Sequence, residues 1–140
     1  ARAVLANGGV FVLVPEGGVA GPPDRLGTFR TGAAILALRT GAPIVPIALA
    51  GAHELYLGKR LASRILPPTS VPELLGDAWD GRIPAPGSRE ELDLAHRLTE
   101  RFADTLGPAV TELYPATVDG PARPRRLRRL TWLFLSRRER

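Results

Sequence analysis

The sequence predicts an α/β fold, a mostly parallel sheet with flanking helices, and three observations carry that prediction. Val10-Phe11-Val12-Leu13-Val14 is an apolar run without alternation, bounded by Gly8-Gly9 and Pro15, as suits a strand buried on both faces. Gly32 to Thr40 is apolar nearly all round, with Thr31 offered as N-cap and Gly41 as stop, as suits a buried helix. Ile44 to Ala50 reads as a second strand, so that strand, loop, helix and strand make a βαβ unit with a right-handed crossover.

Each element has its local reason. Arg2 to Asn7 reads as helical, with Asn7-Gly8 ending it. Gly17 to Gly27 is rich in glycine and proline and is loop. Pro46 lacks a ladder donor, which places it near an edge or a strand end. Gly51 to Gly87 is broken by Pro67-Pro68 and Pro84-Ala85-Pro86-Gly87, and reads as loops with one short strand or helical turn. Ser88-Arg89-Glu90-Glu91 is a capping box that opens an amphipathic helix carrying Leu92, Ala95, Leu98, Phe102 and Leu106, with Gly107-Pro108 as its stop. A second short helix is expected from Pro108 to Tyr114. The organisation predicted is an α/β domain over 1–114, a proline-rich linker over 115–124 and a basic amphipathic tail over 125–140.

Composition narrows the chemistry. There is no cysteine, and His53 and His96 have no His or Cys neighbours at ligand spacing, so no metal centre is expected. No apolar stretch approaches the roughly 20 residues that a spanning helix needs. Ala1 to Leu5 is too short for a secretory signal, and the expectation is a cytoplasmic protein, peripheral on the inner face of the cell membrane. The net charge of +5 belongs to the tail: residues 123–140 hold eight arginines against Glu139, a net +7, which leaves −2 for the rest.

On its residues alone, Pro15-Glu16-Gly17-Gly18 reads two ways. It is a tight turn whose Glu16 caps a neighbouring helix, or it is the carboxyl edge of a strand, offering a carboxylate and open backbone amides to a ligand. Gly17 to Gly21 does not match a dinucleotide fingerprint and Gly58-Lys59-Arg60 does not match a P-loop, so nucleotide binding has no support.

Three pieces in sequence point further. Leu13-Val14-Pro15-Glu16-Gly17 is followed by Leu26-Gly27-Thr28-Phe29-Arg30-Thr31-Gly32-Ala33 and then by Ala42-Pro43-Ile44-Val45-Pro46-Ile47. In this order they resemble the acceptor-binding half of the phospholipid/glycerol acyltransferase family, which includes 1-acylglycerol-3-phosphate acyltransferases. The resemblance spans roughly residues 8–52.

It implies transfer of a fatty acyl group from acyl-CoA or acyl-carrier protein to a lysophospholipid-type hydroxyl, without a metal or redox cofactor. It places acceptor binding at Pro15, Glu16, Gly17 and Gly18, and the wall of the same pocket at Pro43, Val45 and Pro46. Where many members have Thr-Arg after the motif glycine, this chain has Gly18-Val19, so Arg25 or Arg30, flanking Phe29, is the alternative cation for an acceptor phosphate.

The family's catalytic base is the His of a His-x4-Asp element. Here His53 is followed at that spacing by Gly58 and His96 by Arg101, so no catalytic residue is expected in this chain, and the resemblance implies a glycerolipid acyltransferase-like domain that is N-terminally incomplete. A non-catalytic lipid- or membrane-binding module is the competing expectation. In the tail, Arg125, Arg126, Arg128 and Arg129 beside Trp132 and Phe134 suit an anionic membrane surface, while a helix packed on the domain is the alternative. Nucleic acid is not an expected partner, and the oligomeric state is open.

Overall fold

Helix α1, Arg2–Ala6, ends where Asn7-Gly8 says it should. Gly8 takes the left-handed conformation at φ 75°. The Gly8 amide donates to the Leu5 carbonyl (3.0 Å) and the Gly9 amide to the Val4 carbonyl (2.9 Å). That pair of bonds is a Schellman closure, which satisfies two carbonyls that the helix end would otherwise leave open. The computed structural model describes residues 1–17, 22–53, 56 and 58–118.

Helix α2, Gly32–Thr40, has the bounds the sequence predicts, and Gly41 caps it at φ 61° with its amide on Ala37. Thr31 stands at the N-cap but its hydroxyl makes no capping bond. Ala34, Ala37 and Leu38 are buried and only Gly32 is exposed.

The parallel sheet does not form. Among the described residues the sheet is two antiparallel strands, β1 (Ile47–Ala50) and β2 (Ala62–Ile65), in the register Ile47↔Ile65, Ala48↔Arg64, Leu49↔Ser63 and Ala50↔Ala62. The prediction of an α/β fold with a βαβ unit is therefore wrong, and the described chain is mostly helical. The segment 51–61 is a short return that suits antiparallel pairing, whereas a parallel return needs a longer crossover. Val10 to Val14 belong to no strand, and Val10 and Val12 are 85% and 80% exposed. A run apolar on both sides is buried only where neighbours supply both covers, and the described residues offer this run neither ladder nor cover. Pro46 lies just before the ladder, as expected, with its carbonyl accepting from the Leu66 amide (2.9 Å).

The stretch that is least legible in sequence holds β2, helix α3 (Val71–Leu75) and a 3-10 turn, Gly76–Ala78. Its organiser is a capping box: the Ser70 amide donates to Glu73 Oε2 (2.7 Å) while the Ser70 hydroxyl accepts from the Glu73 backbone. Hydrogen bonding from the Ser70 hydroxyl first, then from its amide and from Thr69, holds the Glu73 carboxyl below its ordinary pKa.

Helix α4, Arg89–Leu113, is the spine. Ser88 caps it by accepting from the Glu91 amide (3.1 Å), but the Glu91 side chain does not reach back to Ser88. It accepts instead from the Gly87 amide (2.7 Å) and from Arg39 of α2, Nε to Oε1 (2.5 Å) and Nη2 to Oε2 (2.7 Å). Replacing Ser88 with alanine should cost about 1 kcal/mol by removing the cap, read as a shift in the urea midpoint at unchanged slope.

Pro108 does not stop α4. A proline inside a helix removes one bond and crowds the turn before it. Here Ala109 and Val110, just beyond it, are buried against Ala48 of β1 with Leu26, Leu66, Leu106 and Leu113 around them, and this packing carries the helix through. The N-terminal half of α4 packs Leu94, Ala95, Leu98 and Phe102 against Ala34, Ala37 and Leu38 of α2 and Val71 and Leu75 of α3. Leu92, expected on this face, is 43% exposed. After α4 a 3-10 turn, Tyr114–Thr117, packs beside β2, and Lys59 Nζ donates to the Thr117 carbonyl (2.8 Å). No helix among the described residues is long and apolar enough to cross a membrane.

Candidate functional site

Val14-Pro15-Glu16-Gly17 is a turn closed by the Gly17 amide on the Val14 carbonyl (3.1 Å), with proline and glycine where a turn prefers them and Gly17 at φ 71°. The second motif segment is fastened to this turn at two points. The Arg30 amide donates to the Pro15 carbonyl (2.8 Å), and the Gly27 amide donates to Glu16 Oε2 (2.8 Å).

Glu16 is thus neither free nor the cap of a helix: it clasps the loop that follows it. The carboxylate has a second oxygen, which can still accept from a hydroxyl. A side chain at Gly27 would meet Glu16 Oε2 at 2.8 Å, so the clasp requires glycine there unless Glu16 swings away. Sequence reading quoted Gly27 within its motif but missed this role, because nothing local marks a bond across 11 residues.

Arg30 is exposed, and its side chain lies over Gly17: a Cβ added to Gly17 would stand 2.9 Å from Arg30 Nε and 3.1 Å from Cζ. The guanidinium makes no hydrogen bond or ion pair with another described residue. A cation with open donors therefore sits against the glycine of the turn, although the sequence puts no arginine at position 19. Arg25 is also exposed, but no bond ties it to the turn.

The loop is seated on the body from the other side. Leu26 packs on the cluster around Ala48, Ala109 and Val110, Phe29 packs on the core beside α2, and Thr111 Oγ1 of α4 donates to the Asp24 carbonyl (3.4 Å).

The structure thus brings together Pro15, Glu16, Gly17 and Arg30, with Phe29 anchoring the segment beneath. Pro43, Val45 and Pro46 are placed by a different set of bonds. Ile44 and Thr69 exchange backbone bonds of 2.8 Å, and the Pro46 carbonyl is taken by Leu66, so this segment is pinned to the chain around β2. Pro43 and Val45 are exposed and Pro46 is buried. Gly18 and Val19 lie outside the described residues, as do Arg125, Arg126, Arg128, Arg129, Trp132 and Phe134. His53 and His96 are both exposed, and among the described residues no group of three or more His, Asp or Glu could hold a metal ion.

The arrangement sets one guanidinium and one carboxylate at a turn, held by backbone bonds. Among the described residues no histidine is bonded to this turn. Comparison with protein-family models, with curated proteins and with solved structures gives no match.

Proposed function

We propose that this chain supplies the acceptor-binding part of a glycerolipid acyltransferase acting at the inner face of the cell membrane. The enzyme would move a fatty acyl group from acyl-CoA or acyl-carrier protein to the hydroxyl of a lysophospholipid-type acceptor. One observation carries the reading: the turn Pro15-Glu16-Gly17 and the segment Gly27 to Arg30, separate in sequence, are clasped so that Arg30 lies over Gly17. The reading rests on that turn and on the resemblance of the motifs, not on the fold.

In the reaction, the acceptor oxygen attacks the thioester carbonyl, the thiolate leaves, and the hydroxyl proton must go to a base. Within this chain neither histidine has an aspartate at the required spacing. The part assigned here is therefore to grip the acceptor: Arg30 takes the phosphate and Glu16 orients the hydroxyl end. The lack of a base at that spacing also favours a second reading, a lipid-binding module without catalysis, which uses the same grip.

Titration calorimetry with monomeric 1-acylglycerol 3-phosphate tests both. Binding by the whole chain should weaken about tenfold in Arg30→Ala, the loss of a charge-assisted phosphate contact. It should also weaken in Glu16→Ala, which releases the clasp as well. Equal affinity in native chain and Arg30→Ala would overturn the assignment. The chain on its own should transfer no acyl group from acyl-CoA, and transfer well above a Glu16→Ala control would show that a base has been overlooked.

A further inference from the structure

The segment that carries Arg30 is formally neutral. Between Val14 and Thr31 the charged residues are Glu16, Asp24, Arg25 and Arg30, two of each sign. They are not equally placed. Arg30 lies over Gly17, the residue after Glu16, and Glu16 is fixed at the turn by the Gly27 amide on its Oε2 (2.8 Å). Glu16 and Arg30 form no ion pair, so the guanidinium keeps its donors open while the carboxylate stays beside it. Arg25 is exposed, follows Asp24 in the chain, and no bond among the described residues ties it to the turn. A group held by Arg30 therefore meets one cation, with a carboxylate on the residue next to the glycine it rests on.

That arrangement selects among phosphates by charge. A phosphomonoester carries about −1.5 to −2 at pH 7. A phosphodiester, whose second ester occupies one of those oxygens, carries a single negative charge, and one guanidinium bonded to two phosphate oxygens balances it. The extra charge of the monoester has no such partner at the turn. It is repelled by the Glu16 carboxylate, because charges nearer than a Debye length, about 8 Å at physiological salt, are screened little.

We propose that the turn is selective for a phosphodiester, a lysophospholipid headgroup with a second alcohol on its phosphate, over a phosphomonoester such as 1-acylglycerol 3-phosphate. Glu16 sets the preference: one oxygen clasps the loop, and the charge of the carboxylate disfavours a second charge on the phosphate. The proposal rests on the acceptor reading and narrows it to one class of lysophospholipid.

Titration calorimetry on the whole chain compares two monomeric ligands of equal acyl chain, 1-acylglycerol 3-phosphate and 1-acylglycero-3-phosphoglycerol. The diester should bind about threefold more tightly or better, the size of one like-charge contact at a solvated surface. Glu16→Gln keeps a carbonyl oxygen for the Gly27 amide and removes the charge. It should bring the two affinities together by tightening the monoester.

Glycerophosphoglycerol, which lacks the acyl chain, should displace the acylated diester less well than the acylated diester displaces itself. Equal displacement would make the ligand a free phosphodiester in place of a lipid and overturn the proposal. A monoester bound as tightly as the diester by the native chain would overturn it without any variant, and so would a preference unchanged in Glu16→Gln. Binding that does not depend on Arg30 defeats the acceptor reading itself, whereas Arg30-dependent binding in the opposite order defeats only the selectivity.

Discussion

Replacing Arg39 with leucine is expected to lower the melting temperature by on the order of 10 °C, as befits the loss of the partner of a buried carboxylate. The Glu91 carboxylate is 1% exposed, and Arg39 contacts it through two nitrogens. With the guanidinium removed, a buried negative charge keeps only the Gly87 amide. The double variant Arg39→Leu with Glu91→Leu should recover much of the loss, because the larger penalty lies in the stranded charge.

Acid provides an independent check. The Arg39 hydrogen bond first, and the Gly87 amide second, pull the Glu91 carboxyl from 4.5 down to about 2, against the opposing effect of burial. A lowered folded-state pKa stabilises the protein fully above the ordinary value and is lost as the carboxylate takes up its proton. The pair's contribution should therefore be complete above about pH 5 and fall away between 4.5 and about 2. In Arg39→Leu the remaining influences oppose each other, so the difference in melting temperature between native and variant should narrow steadily over that window. A difference unchanged down to pH 2 would show that Glu91 does not rely on Arg39. The pair also bears on the candidate site, because α2 begins two residues after Arg30 and fixing it to α4 fixes the segment that carries the cation.

What could be read in advance was local. The end of α1 was legible because Asn7-Gly8-Gly9 allows only a few closures, and the bounds of α2 because Gly41 is the one residue there suited to a left-handed cap. Sheet partners were not legible. Val10 to Val14 and Ile44 to Ala50 look alike as apolar strands, yet only the second finds a ladder, and its partner, Ala62–Ile65, reads Ala-Ser-Arg-Ile with no apolar alternation to announce it.

The same holds for the site. A turn at Pro15-Glu16-Gly17 follows from residue type, whereas the bonds of Glu16 to Gly27 and of Arg39 to Glu91 depend on how the chain folds back, across 11 and 52 positions. Glu91 shows the conflict directly. Ser88-x-x-Glu91 is a correct sign of a helix start, but a carboxylate offered a half-buried arginine takes that partner in preference to the amide of its own cap.

Two leucines on α4 should separate the face predicted from sequence from the face that packs. Leu98→Ala should cost about 2–5 kcal/mol, because the side chain is fully buried in the cluster joining α2, α3 and α4 and its removal leaves a cavity that helix backbones cannot collapse to fill. Leu92→Ala should cost less than about 0.5 kcal/mol, because Leu92 is 43% exposed and alanine is the better helix former. Sequence periodicity places both on one apolar stripe, so equal losses in urea midpoint would restore that stripe and rotate α4 relative to the core described here. A large loss at Leu98 with none at Leu92 fixes the face as Leu94, Ala95, Leu98 and Phe102. It is that rotation which brings the Glu91 carboxylate under Arg39, so that the helix face that builds the core also fixes α2, which begins two residues after Arg30.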